Sequence, residues 1–335
     1  MSLFFNKKFG TGLVPDKLDS RDLNYDILGA EASDVDWEKG FDIEKELDIK
    51  INFKNQNGSS SCVGQAISYY IAVVNAKEMG YYIEQCAKAI YSQIALPGGG
   101  SSLRDACSLA VNWGSIPELM ISSYNQGKPP TEAFMIDKSW KNYDIDQAAK
   151  PLQAKEYRTI QCSSNMDLFA KAIRDNLGVL SGVNGSNNNT WNTLEPKPGT
   201  KIDWLHGLYF GKYGTDEKGK YIATPNSWGD RFKGEWQKLR EDYFTSGNMF
   251  NVWTLVDQPN SSMTKENQEI VQKMEKKFIV EAEGRGRTGI IINGKLREVK
   301  SDRVAQACLY QIASNGGGLF ISTDNFNNII KDVNF

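Results

Sequence analysis

Residues 56–66 read Q-N-G-S-S-S-C-V-G-Q-A, which places Gln56 six residues ahead of Cys62. Far downstream come the only histidine of the chain, His206, and then N-S-W-G at residues 226–229. A thiol, an imidazole and a carboxamide are parts for attack on an acyl carbon. The thiolate attacks, the imidazole carries the proton, an amide orients the ring, and a further N–H donor stabilises the oxyanion. Val63, Ala66, Ile67, Tyr70, Ile71 and Val74 follow the i, i+3, i+4, i+7 rule and predict a helix over residues 62–79. Ser59, Ser60 and Ser61 offer caps and Gly80 ends it. Cys62 thereby falls at a helix N-terminus, where exposed N–H groups and the dipole favour a thiolate. Pairing with an imidazolium lowers the thiol pKa further, so a rate should rise as that pair forms and fall when His206 loses its proton.

Each of these residues has an ordinary role available. A helix cysteine usually packs as a small hydrophobe. A strand histidine usually sits in a core, an asparagine after proline usually forms a turn, and a loop glutamine is usually solvated. Their order and local contexts weigh against four coincidences.

The set resembles papain-like cysteine peptidases over about residues 12–256, in the bacterial or phage-type branch. The likeness extends to G-G-S-S-L-R-D-A from Gly99, W-G-S-I-P-E from Trp113, W-G at Trp228, G-E-W at Gly234 and R-E-D-Y-F at Arg240. It implies hydrolysis of peptide bonds, with Cys62 as nucleophile, His206 as acid and base, Asn226 as orienter and Gln56 in the oxyanion hole. It also implies that Trp228 shields the His–Asn bond and that Gly99 and Gly100 offer backbone hydrogen bonds to substrate. There are departures. Val63 follows the nucleophile, Ser59 stands where secreted members carry a disulfide cysteine, Pro225 precedes Asn226, and Leu205 precedes His206. These bear on subsite preference and leave open a slow or degenerate enzyme.

A formal net charge of −2 provides no broad basic field for nucleic acid. No apolar run approaches the roughly 18 residues of a membrane span, and no apolar stretch follows Lys7 and Lys8 as a secretory signal requires. The five cysteines are odd in number and scattered, without a C-x-x-C pair, so they read as free thiols in a reducing compartment. The chain as given thus reads as cytoplasmic, or virion-associated if of phage origin. One histidine and no ligand spacing mean that neither metal nor cofactor is expected.

The expected architecture is α+β: a papain-like two-lobe fold with a small α+β appendage at the C-terminal side. Residues 1–50 form an extended segment. Within it G-L-V-P-D and D-S-R-D read as a lead-in rather than a long inhibitory propeptide, because they lie only about 40 residues before Gln56. The peptidase domain is expected over residues 51–256. Its helical lobe, about 60–177, carries further helices near 103–114 and 166–177. Its antiparallel, barrel-like β lobe, about 178–256, has strands near 178–184, 205–213, 220–223, 235–239 and 250–256, with a polar loop from Gly185 before the histidine strand.

A linker over 257–264 leads to an accessory domain at 265–335. There a helix near 265–277, strands near 278–283, 288–292, 295–299 and 319–322, an Asn293-Gly294 turn and a helix near 302–313 are expected. The partners implied are a protein or peptide substrate and a protein partner for the accessory domain, with no nucleic acid and no membrane span. Two other functions compete. One is a binding or assembly protein on a catalytically weak papain fold, acting through the accessory domain. The other is acyl transfer to an amine, where Asn226-Ser227-Trp228 favours the peptidase over a Cys-His-Asp transferase.

Overall fold

The computed structural model describes residues 12–17, 19, 22–23, 35–124 and 130–256, and four strands between Phe278 and Ile321. It divides into two compact units. In the first, β1 (Phe41–Asp42) and α1 (Ile43–Glu46) precede the long helix α2 (Cys62–Met79). Then come α3 (Ala87–Ile94), α4 (Leu103–Asn112), α5 (Glu132–Ile136), α6 (Tyr143–Ala149), β2 (Glu156–Thr159) and α7 (Met166–Asn176). The remainder is β3 (Val179–Gly185), β4 (Trp204–Phe210), β5 (Lys212–Asp216), β6 (Gly219–Thr224), β7 (Gln237–Leu239), α8 (Glu241–Thr245) and β8 (Met249–Val256).

Helix α2 has the bounds its apolar spacing predicts. Ser61 precedes it without a side-chain cap, and Gly80 closes it in the left-handed conformation at φ 80°. Its burial exceeds the predicted stripe, since every residue from Cys62 to Ala76 is buried. A helix buried all round needs neighbours all round. Here β3 and β4 cover one side and α3 and α4 the other.

The strands form two antiparallel sheets, ordered β2-β8-β3-β4 and β1-β5-β6-β7. Alternation along the first sheet feeds two cores. Leu180, Tyr209, Trp253 and Leu255 join α2 and α4 in one. Val179, Val183, Leu208, Phe210 and Val252 join α7 in the other. Three expectations change here. Helix α7, expected in the helical lobe, packs its Met166, Phe169, Ala170 and Ile173 stripe into the sheet-side core. The segment before it supplies strand β2 to the first sheet. The single strand expected over 205–213 is two, β4 and β5, which break at Gly211 and enter different sheets.

In the second unit, β9 (Phe278–Ala282), β10 (Arg287–Ile292) and β11 (Lys295–Val299) form an antiparallel meander, and β12 (Leu319–Ile321) pairs parallel to β9. The expected linker, the turn at Asn293-Gly294 and the helices near 265–277 and 302–313 lie outside the described residues. Among the described residues no helix is long and apolar enough to cross a membrane.

Close packing behind the thiol depends on Gly64. A Cβ there would lie 2.6 Å from Cβ of Tyr91 and 3.2 Å from the Ala87 carbonyl oxygen. Gly64→Val should therefore lower the unfolding free energy by about 1–3 kcal/mol through overpacking, read from urea denaturation. An unchanged midpoint would show that α2 and α3 separate freely.

Candidate active site

Cys62 opens α2, and the loop before it is held from outside. Glu132, at the start of α5, accepts the Ser60 N–H at 2.5 Å and the Tyr91 hydroxyl at 2.6 Å. The first turn of α2 then meets β4 at Gly207, where a Cβ would lie 3.0 Å from Val63 Cγ2. That approach brings the Gly207 N–H to 3.5 Å from Cys62 Sγ, beside His206. The N–H groups of Val63, Gly12 and Cys62 itself also bear on the sulfur.

His206 points to the opposite face of β4 from Gly207, into a cage of indoles. Trp228 stacks on the imidazole at 5.0 Å and 24°, while Trp204 and Trp191 stand edge-on at 6.2 and 6.4 Å. Nε2 lies 2.9 Å from Asn226 Oδ1. Nδ1 is buried with no hydrogen-bond partner among the described residues. Asn226 sits at φ 48°, a left-handed turn that asparagine tolerates. Its carbonyl accepts the Tyr69 hydroxyl at 3.1 Å, and that same hydroxyl accepts the Lys54 N–H at 2.5 Å.

Gln56 joins the two halves of the site. Its N–H donates to the Ser227 carbonyl at 2.7 Å, and its Oε1 accepts the Ser227 hydroxyl at 2.5 Å. Its Nε2 donates to the Ser59 carbonyl at 3.1 Å, which uses one of the two N–H bonds of the amide. Gln56, Cys62, His206, Asn226 and Trp228 thus lie in one connected site.

The loop of Gly99 and Gly100 also lies here, but its N–H groups are used internally. Gly99 donates to the Leu96 carbonyl at 2.9 Å and Gly100 to the Tyr91 hydroxyl at 2.7 Å. The backbone of buried Ser101 instead pairs with the chain's own N-terminal segment. Ser101 donates to the Gly12 carbonyl at 2.8 Å and accepts from the Val14 N–H at 3.0 Å, in a parallel bridge with Leu13. The segment read as a lead-in is therefore a strap across the thiol. Gly12 fits by close approach, since a Cβ there would lie 2.0 Å from the Ser60 carbonyl oxygen and 3.0 Å from Cys62 Sγ. Leu13 is buried, and a Cβ on Gly182 would strike it and Phe250 together. Asp16 latches the strap by accepting the Trp253 indole N–H at 2.7 Å and the Arg104 N–H at 3.1 Å. Arg104 in turn donates to the Lys17 carbonyl and pairs with Asp22.

Burial sets the charge state. Cys62 and His206 are both 0% exposed. Burial pushes the thiol up to about 11, against the pull of the surrounding N–H groups. Burial pushes the imidazole down to about 4, against the Asn226 hydrogen bond. The expected thiolate–imidazolium pair is thus a neutral pair, because the strap and the α2 seat cover Cys62 and the indoles cover His206. Cys86, Cys107 and Cys162 are buried free thiols, and Cys308 lies outside the described residues.

No protein-family model matches this chain, and no curated protein matches it in sequence. Solved structures do match. Xylellain, a cysteine protease from Xylella fastidiosa, is similar over 75% of this chain and 97% of its own, at TM-score 0.62 and 16% identity. Procathepsin B S9 from Trypanosoma congolense is similar over 74% and 86%, at TM-score 0.53 and 12% identity. Bromelain from Ananas comosus is similar over 67% and 100%, at TM-score 0.50 and 17% identity. The fold is that of the papain-like cysteine proteases. Within this papain-like frame several residues around the site escape a reading of the sequence. Trp191 and Trp204 flank the polar loop after β3, and their aromatic content was the available signal. The Leu13-Val14 pair in a polar stretch was the signal for the strap. Gln237, Glu132, Tyr69 and Ser101 carry no sequence signal for their contacts.

The buried imidazole makes stability depend on pH. An exposed histidine takes a proton near 6.5, whereas His206 stays neutral down to about 4. Between these values the unfolded chain holds one more proton. The stability from neutral His206 is therefore full above about pH 6.5 and is lost as pH falls toward 4, at up to about 1.4 kcal/mol per pH unit. Unfolding free energies across this window should fall more steeply for the native chain than for His206→Gln. Equal slopes would contradict a neutral buried ring.

Proposed function

We propose that this chain is a cysteine peptidase of the bacterial or phage-type papain-like branch, which cuts peptide bonds in a protein or peptide substrate. The observation that carries the reading is the strap. Beside Cys62 the site already holds an extended peptide segment, paired through its backbone to Ser101 and anchored by a buried leucine. In the reaction, the Cys62 proton passes to His206 Nδ1 and the thiolate bonds to the peptide carbonyl carbon. Gln56 and the Cys62 N–H hold the oxyanion. His206 then donates its proton to the departing amine as the C–N bond breaks, which leaves a thioester. Water gives a proton back to His206, attacks the thioester and releases the acid and the thiol.

The strap does not itself react. It turns the Gly12 N–H toward the sulfur, whereas a thiolate attacks a carbonyl carbon. It acts as an intramolecular occupant whose departure rehydrates the pair and restores the thiolate–imidazolium form. Ragweed Amb a 11 and procathepsin B were solved as proforms, and they share this fold. The accessory strands after residue 277 serve, on this reading, to bring the peptidase to a protein partner. A non-catalytic assembly protein is the second reading, favoured by the buried, neutral state of the Cys62 and His206 side chains.

A peptidyl epoxide with mass readout separates the two. Gly12→Ala cannot keep the strap seated, because its Cβ meets backbone. It should alkylate at Cys62 at least about tenfold faster than the native chain, as fits loss of a cover worth about 1.4 kcal/mol or more. His206→Ala in that background should abolish the gain. No selective addition at Cys62 in Gly12→Ala would sink the peptidase reading.

A further inference from the structure

Gln237 is a buried side chain on β7, with no part in the constellation read from the sequence. Its Nε2 donates to two backbone carbonyls of the loop before β4, Trp191 at 3.1 Å and Thr193 at 2.7 Å. Carbonyl oxygens only accept, so both contacts demand N–H groups and the amide has one possible orientation. Its Oε1 must then face the other way, where it lies 2.5 Å from Asn226 Nδ2. An oxygen there demands a donor, so the second amide is oriented as well. Asn226 Oδ1 is left for the Ser227 N–H at 2.6 Å and for His206 Nε2 at 2.9 Å. An acceptor at Nε2 keeps the imidazole proton on that nitrogen. Nδ1 therefore carries the lone pair.

We propose that Gln237 is a positioning residue for acyl transfer, which sets the tautomer of His206 by orienting the Asn226 amide from two carbonyls of the Trp191 loop. The kinetic consequence rests on the peptidase reading, but the tautomer does not. The Ser227 N–H selects the same oxygen, so removing Gln237 does not release Asn226 completely. It leaves Nδ2 buried without its acceptor, and a half-turn of the amide would then present N–H to the ring nitrogen that already bears a proton.

The single histidine makes the test direct, because one labelled imidazole yields one pair of nitrogen signals. In the full chain labelled with 15N-histidine, near neutral pH, Nε2 should be protonated and Nδ1 bare. In Gln237→Met the signals should move toward a mixture of tautomers. Gln237→Glu should keep the native pattern in acid, where its carboxyl donates to one carbonyl and still accepts from Asn226. The carboxylate accepts the Asn226 N–H more strongly still, so the pattern should persist as it forms, whatever the contacts to the two carbonyls lose. With a peptide substrate, in the Gly12→Ala background that frees the site, Gln237→Met should lower kcat about tenfold while KM stays within about twofold, as expected when one buried donor loses its partner. The same change in an Asn226→Ala background should cost nothing further.

Native nitrogen shifts in folded Gln237→Met would overturn the proposal. So would an equal loss of kcat with and without Asn226, which would mark Gln237 as only a loop anchor. If Gln237→Met fails to fold, folded Gln237→Ala takes its place: mixed tautomer signals there, beside native signals in Gln237→Glu, support the proposal, and native signals in Gln237→Ala overturn it. If no variant in the Gly12→Ala background turns over substrate, the peptidase reading fails while the nitrogen shifts still decide this one.

Discussion

The seat of the α2 N-terminus on β4 is the contact on which the site depends. Val63 reaches Gly207 because residue 207 has no Cβ. That approach sets the Cys62 sulfur beside the amide that follows His206. Strand alternation then turns His206 to the other face, among the indoles. A helix terminus and a strand are stiff elements, so the thiol and the ring keep their spacing without a direct link between them. Glu132, Tyr91 and Gly64 act one step back, by holding the loop before Cys62 and the helix behind it.

Electrostatics at this seat depend on what lies over it. A helix N-terminus and four surrounding N–H groups favour a thiolate. Complete burial opposes them and wins, because a charge without water or counter-charge is expensive at any low-dielectric site. The strap therefore covers the sulfur, as the indoles cover His206, and burial leaves both groups neutral. Its grip combines parts of different kinds: backbone pairing at Ser101, an apolar anchor at Leu13 and a polar latch at Asp16.

Hydrogen-bond direction supplies the remaining order. Carbonyls accept and amide nitrogens donate, so a chain of amides passes orientation along it without any moving part. The Ser227 turn is held by Gln56 on one side and by Tyr69 through Asn226 on the other. These contacts join segments far apart in sequence and tie the asparagine turn to the loop before α2 and to α2 itself.

The sequence by itself singled out the residues that the fold brings together at the candidate site and most of the elements that carry them. The Gln56–Cys62 spacing, the lone His206, the N-S-W-G run and the periodicity of α2 are local signals, and local geometry obeys them. The β segments were legible for the same reason, down to the meander of β9, β10 and β11. Only the tertiary structure decided where α7 packs, that residues 204–216 split between two sheets, and that Ser101 rather than Gly99 or Gly100 pairs with the strap through its backbone hydrogen bonds. It alone decided that the cysteine and histidine are neutral, that Trp191 and Trp204 close the cage, and that Gln237 meets the Asn226 amide. Each of these turns on contacts between residues distant in the chain, and burial and hydrogen-bond direction are properties of such contacts, which no local pattern of residue types encodes.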